Sequence, residues 1–304
     1  MKLVTFVNGG AHAIGLMEGN VVLNLGAAWR KFGNAAAPAD MIALIESGEV
    51  GLASTRTVAS AAASVRSDKS LWAPLASTKL AAPIPRPRKN VFCVGRNYKK
   101  HIEEGARARG REVSFPPVPE FFSKPPTTIV GNDDPIRLDP KVTKQLDYEV
   151  ELAIVIGKTA RDVPKEKALD VVFGYTVFND VSARELQVSH GQWFKGKSLD
   201  TSGPMGPCIV TKDEFGDPSG HRLALRVNGE TRQDENTSDM LFDCAAIIAS
   251  LSQGLTLEAG DVIATGTPSG VALGMSPQIW LKDGDVMEAE IQGIGVLRNS
   301  VRGV

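Results

Sequence analysis

The chain has 304 residues, with 34 lysines and arginines against 35 aspartates and glutamates and a formal net charge of −1. That balance gives no electrostatic reason to expect a nucleic-acid or membrane-surface partner, and the length suffices for a sizeable core. Cys93, Cys208 and Cys244 are widely spaced and odd in number, which argues against a disulfide framework or a paired-cysteine metal site and for a reducing compartment.

In chain order, residues 1–25 read as short strands broken at Gly9-Gly10 and Glu18-Gly19-Asn20, followed by alanine-rich helices over 39–47 and 52–66. This predicts a small α+β domain over residues 1–80. The proline-rich stretch 82–88 removes backbone donors and fixes φ, so it is expected to act as a linker. Residues 89–304 form the second expected domain. Strands are predicted there at 91–94, 120–123, 148–156, 174–178, 207–211, 223–227, 261–265, 286–291 and 295–301, with turns at Asn228-Gly229 and Asp283-Gly284. Helices are predicted only at 98–109, 182–190 and 239–252, the last with Thr237-Ser238 as caps. Many strands with few helices exclude repeated strand-helix units, and no phosphate loop or dinucleotide fingerprint is present. The apolar run at the start is too short for a signal peptide and no stretch is long enough to span a bilayer, so the expected location is cytoplasmic.

The most informative segment is 146–157, where Asp147, Glu149 and Glu151 alternate along an apolar, β-branched strand and so share one face. Two readings compete. The strand can be half buried with an acidic solvent face, or it can be buried with a cation offsetting like charges that repel. Downstream, Asp180 sits at a predicted strand-to-helix corner, where a loop on rigid elements can supply a ligand. Carboxylates without nearby Cys or His make a hard oxygen site, suited to Mg²⁺ or Mn²⁺, with Ca²⁺ as a substitute, and unsuited to Zn²⁺.

Other groups allow two readings each. His101 and Glu104 are three apart on a predicted helix, which suits either a proton-moving dyad or an exposed charged pair. Lys197 follows Gly196 and is either a group near a reacting carbonyl or a loop lysine. The hydroxyls and amides of Thr265-Gly266-Thr267-Pro268 suit a substrate carboxylate or only a turn.

Six segments in one order, Gly95-Arg96-Asn97-Tyr98 with His101 and Glu104, Phe122-Ser123-Lys124-Pro125, Asp147-Tyr148-Glu149-Val150-Glu151-Leu152, Asn179-Asp180-Val181-Ser182-Ala183-Arg184-Glu185-Leu186-Gln187, Gly196-Lys197-Ser198 and Thr265-Gly266-Thr267-Pro268, resemble the fumarylacetoacetate hydrolase family. The resemblance covers about residues 89–301. It implies an α+β fold of layered mixed and antiparallel sheets with few helices beside the small N-terminal module. It further implies Glu149, Glu151 and Asp180 as ligands of Mg²⁺ or Mn²⁺, His101 and Glu104 as a dyad acting on water or substrate, and Lys197 near the reacting carbonyl. Arg96, Tyr98, Lys124, Gln187 and Thr267 are matched polar positions expected to bind substrate. The tyrosine-pathway members that name the family add a metal carboxylate just before their catalytic histidine, and residues 95–100 contain none, which suggests a smaller substrate.

The expected activity is hydrolysis of a carbon-carbon bond in an acylpyruvate-like 1,3-diketo acid. Decarboxylation or keto-enol isomerisation of a 2-oxo diacid, or dehydration of a sugar acid, would use the same site, and a non-catalytic binding protein is the alternative of another class. A homodimer is expected from the resemblance alone.

Overall fold

A computed structural model describes all 304 residues. Its main sheet has twelve strands, and the principal path runs Trp72–Pro74, Val21–Asn24, Ala11–Glu18, Lys2–Asn8, Gly203–Thr211, Val172–Asn179, Val150–Ile156, Val262–Ala264, Val91–Gly95 and Glu120–Lys124. A second sheet of five strands runs Glu230–Asn236, Arg222–Val227, Val286–Ile291, Gly295–Gly303 and Ile136–Leu138. Most pairings are antiparallel; Val262–Ala264 lies parallel to Val91–Gly95. This is the layered α+β architecture that the family resemblance implies.

Alternation along the central strand Val150–Ile156 builds the layers. Leu152, Ile154 and Ile156 pack into a core of 40 buried residues together with Leu225, Met287 and Leu297 of the second sheet. Ala153 and Val155 point the other way, into a core of 29 residues with Leu3, Trp29 and Leu44 of the N-terminal segment. All seven residues of this strand are buried. The half-buried strand with an acidic solvent face is therefore ruled out.

The N-terminal elements are the strands and helices expected, with a further helix, Leu25–Phe32, whose N-cap Asn24 accepts from the Ala27 N–H. They share one sheet with the rest of the chain: Leu3 pairs with Ile209 and Lys2 with Val210. At the expected linker, Pro83 and Ile84 are buried and the Pro83 carbonyl accepts the Thr5 hydroxyl at 2.6 Å. Residues 1–80 and 89–304 thus have a continuous sheet and a common core.

Three boundaries differ from the sequence reading. The helix predicted at 239–252 begins at Cys244, because the Asp243 carboxylate caps it by accepting the Ala246 N–H, while Thr237–Asp239 is a separate short turn. The helix predicted at 182–190 is Arg184–Ser189, since Ser182–Ala183 pairs with Leu146–Asp147. The strand predicted at 148–156 starts at Val150, with Tyr148 and Glu149 outside regular pairing. The Asn228-Gly229 turn forms as expected, with φ of 52° and 81°.

Candidate active site

The acidic cluster is assembled by pairing between adjacent strands. Val150 lies opposite Asn179 and Glu151 opposite Phe178. Just beyond that register, the Asp180 N–H donates to the Glu149 carbonyl at 2.9 Å, and the Glu149 N–H donates to Asn179 Oδ1 at 3.0 Å. Glu149 and Glu151 lie two residues apart, so both side chains reach the same place. One carboxylate oxygen from each of Glu149, Glu151 and Asp180 lies within 4.8 Å of the others, and all three residues are buried.

Asp147 goes elsewhere. The strand breaks after it, and its carboxylate accepts the backbone N–H groups of Tyr148, Ala272 and Leu273 and the Arg184 Nε at 2.8 Å. The idea that three carboxylates share one strand face thus holds for two, and Asp180 supplies the third.

Basic side chains offset part of this charge. Lys197 Nζ lies 2.7 Å from Glu149 and 2.6 Å from Asp180, Lys124 Nζ lies 2.8 Å from Asp180, and Arg184 Nη2 lies 2.6 Å from Glu149. The cluster is therefore not uncompensated. Burial would raise the pKa of Glu149, but Lys197, Arg184 and His101 outweigh it and hold the carboxylate below its usual range. Burial opposes charge on Lys197 as well, and Asp180 and Glu149 overcome it, raising that pKa. Glu151 has no basic partner in contact. Its Oε2 accepts only the Gly266 N–H at 2.7 Å, and burial, then Asp180 and Glu149, push its pKa well above the carboxylate range.

These residues fit a hard divalent ion. Four carboxylates, Asp147 included, face three basic groups, Glu151 is left without a cation, and Asp180 Oδ1 makes no well-formed hydrogen bond although Lys124 is near. Glu149, Glu151 and Asp180 would hold the ion.

The helix Lys99–Ala108 carries the dyad, and Glu104 is tied through the Gly270 amide to the loop whose Gly266 amide holds Glu151. The approach of the helix is set by Arg96, which takes a left-handed φ of 55° and is tied to Glu120 at 2.9 Å and to the Ser114 carbonyl. His101 Nδ1 lies 3.4 Å from Glu104 Oε2, and Glu104 Oε1 also accepts the Gly270 N–H at 3.0 Å. Glu104 is 7 % exposed, so it is a buried acid held by a backbone donor and not part of an exposed charged pair.

The remaining sequence candidates are distributed around this centre. Lys124 is wholly buried behind Asp180 and also donates to the Val181 carbonyl at 3.0 Å. Gln187 accepts Arg184 Nη1 at 3.1 Å. The Thr267 hydroxyl donates to the Val150 carbonyl at 2.9 Å and accepts from Gln233 at 2.8 Å, so it braces the strand that carries Glu151 instead of facing open space. Tyr98 is buried with its hydroxyl unpartnered, and burial raises its pKa. The structure thus brings His101, Glu104, Lys197 and the three acids together, and turns Arg96, Lys124 and Thr267 toward protein partners.

Two groups that the sequence reading left without a role, Arg184 and Asn97, organise the site, together with loop amides expected to meet a substrate carboxylate. Arg184 bridges Asp147 and Glu149. Asn97, fully buried, donates to the Thr265 and Phe242 carbonyls at 2.7 and 2.9 Å and joins the His101 helix to the strand end. The loop after Val262–Ala264 uses its Gly266 and Gly270 amides to hold Glu151 and Glu104. A surplus of acids in one motif is the signal that a buried arginine nearby would be needed.

A buried, oxygen-only acidic centre at the end of paired strands, faced by a histidine-glutamate pair, defines a family, and the comparisons agree. Residues 90–302 match the fumarylacetoacetate (FAA) hydrolase C-terminal domain, and the chain belongs to the fumarylacetoacetate hydrolase family. It is 45% identical over 265 residues, 87% of each chain, to the oxaloacetate tautomerase YisK of Bacillus subtilis. A mitochondrial oxaloacetate tautomerase of Rattus norvegicus is 40% identical over 267 residues, covering 88% of this chain and 80% of the relative. Among solved structures, the maleylpyruvate hydrolase of Sphingobium sp. SYK-6 in complex with manganese(II) and pyruvate superposes with a TM-score of 0.77 at 32% identity, covering 100% of this chain and 99% of that one.

Proposed function

We propose that this protein is a divalent-metal-dependent enzyme that interconverts the enol and keto forms of a small 2-oxo diacid, with oxaloacetate as the substrate. The observation that carries this reading is the buried cluster of Glu149, Glu151 and Asp180, in a chain that also carries the His101–Glu104 pair and is 45% identical to an oxaloacetate tautomerase. When bound, Mg²⁺ or Mn²⁺ would supply Lewis acidity to the 2-oxo acid end of the substrate and lower the cost of enolate charge.

The chain's own groups move the proton. Glu104, fixed by the Gly270 amide, faces His101 Nδ1 and leaves Nε2 to accept a proton from C3 and return it to the C2 oxygen. Tautomerisation needs only this one proton carrier. Lys197 and Arg184 hold Glu149 ionised, and Lys197 and Lys124 anchor Asp180.

A second reading, hydrolysis of an acylpyruvate, is favoured by the likeness to a maleylpyruvate hydrolase, because the same dyad can activate water. Product analysis separates the two. Mn²⁺-loaded protein should speed disappearance of the oxaloacetate enol without added release of pyruvate and CO₂, and chelation should abolish the effect. Pyruvate with a carboxylic acid from an acylpyruvate, and no effect on the enol, would favour the hydrolase; CO₂ from oxaloacetate would favour a decarboxylase. Family likeness also supports a homodimer, which a single-chain mass by light scattering at micromolar concentration would refute.

A further inference from the structure

Side chains alternate along the strand Glu120–Lys124, so Phe122 and Lys124 share one face, and Lys124 Nζ lies 2.8 Å from Asp180. The same face therefore carries an aromatic ring to the acidic cluster. Lys197 Nζ stands over the Phe122 ring, 5.1 Å from its centroid. Trp193 steadies that ring. The two rings meet edge to face with centroids 5.5 Å apart at 75°, and Trp193 itself lies against Gly95, where a Cβ would stand 2.0 Å from the indole. The backbone of Lys197 is also constrained, because its N–H donates to the Trp193 carbonyl at 3.1 Å and Gly196 presses on the Gln187 and Ala183 backbone.

The Lys197 ammonium has three donors and uses two, on Glu149 at 2.7 Å and Asp180 at 2.6 Å; it donates to no other side chain. Both acceptors belong to the cluster suited to a divalent ion, and Lys124 already shares Asp180. A dication on those carboxylates adds like charge beside the ammonium and weakens its hold. An aromatic face suits this position, because it attracts a cation without adding an anion that would compete for the metal. Lys197 is 2 % exposed, so little water screens the attraction.

We infer that Phe122 is a positioning residue, whose ring face keeps the Lys197 ammonium at Glu149 and Asp180 and so keeps those two carboxylates arranged for the metal. The inference rests on the reading of Glu149, Glu151 and Asp180 as metal ligands.

The test replaces Phe122 with mono-, di- and trifluorophenylalanine, which keep the ring's shape while draining negative charge from its face, and separately makes Phe122→Leu. Mn²⁺ affinity is read without substrate by paramagnetic resonance titration, in the wild-type and Lys197→Gln backgrounds, with thermal melts confirming that the variants fold. Affinity should fall stepwise with fluorination, by about threefold or more in total, with Phe122→Leu near the lower end, and the fluorination series should be flat with Lys197→Gln. An affinity that is unchanged or raised by fluorination, or an equal loss with Lys197→Gln, overturns the inference. If the wild type binds no Mn²⁺, the metal reading fails, and denaturant melts of the same series decide the pair: the folding constant should drop about threefold or more with fluorination only while Lys197 is present, and a drop of the same size with Lys197→Gln, or none in either, refutes it.

Discussion

Metal binding should expel a proton from Glu151. Its carboxylate is 1 % exposed, accepts only the Gly266 N–H and lacks the lysine or arginine that Glu149 and Asp180 possess. Burial and the two neighbouring carboxylates raise its pKa, so the metal-free protein holds this group protonated above the usual carboxylate range, whereas a metal ligand must be ionised. The sign follows. The native state binds more protons than the unfolded chain between the ordinary glutamate pKa and the raised one, so the stability contribution is full below that ordinary value and is lost as pH rises through the folded pKa. Metal should reverse that loss, and its stabilising effect should grow with pH. Within the window the release approaches one proton per ion, and metal affinity rises about tenfold, or about 1.4 kcal/mol, per pH unit. Calorimetric titration with Mn²⁺ in two buffers of different ionisation enthalpy measures the count directly. Lys124, whose pKa is lowered first by burial despite Asp180, is the other group able to release a proton. Glu151→Gln should therefore abolish the release while Lys124→Met, if it folds, keeps it. No proton release by the wild type with pH-independent affinity would refute the reasoning.

Replacing His101 with Ala should lower turnover by about 10²–10⁴-fold while Mn²⁺ affinity, read by paramagnetic resonance titration, changes little, because the ring carries protons and is not a ligand. Glu104→Ala strands the Gly270 N–H and should lower stability by about 1–3 kcal/mol in denaturant melts as well as reducing activity; Glu104→Gln, which can still accept that bond, should restore most of the stability alone. At Gly196 an added Cβ would run into the Gln187 backbone nitrogen and the Ala183 carbonyl, so Gly196→Ala should cost about 1–3 kcal/mol and, by displacing Lys197, weaken metal binding.

Most strand positions were legible from local pattern, and the grouping of Glu149, Glu151 and Asp180 was legible from the family resemblance. Alternation in Val150–Ile156 predicts a strand with Glu149 and Glu151 on one side, and the corner after Asn179 predicts where Asp180 emerges. Asp147 was not separable by that logic, since what draws it away is Arg184 together with amides of residues 272 and 273, some 125 positions along the chain. Lys197 and Lys124 show the same limit. Lys197 was expected near a reacting carbonyl and Lys124 at the substrate, but burial against Asp180 pairs both with protein carboxylates. The expected linker misled for a related reason: its prolines do break local structure, yet Lys2–Asn8 pairs with Gly203–Thr211 some 200 residues away and makes the sheet continuous. Thr267 read as a free hydroxyl until the strand it braces was placed beside it.

The central claim is that this centre accelerates keto-enol exchange of a 2-oxo diacid, and stopped-flow absorbance of the oxaloacetate enol tests it most directly. Mn²⁺-loaded wild type should shorten the decay of the enol in proportion to enzyme concentration, with chelated protein and His101→Ala returning it to the buffer rate. A decay unchanged by the metal-loaded wild type, or equally fast with His101→Ala, would contradict the account.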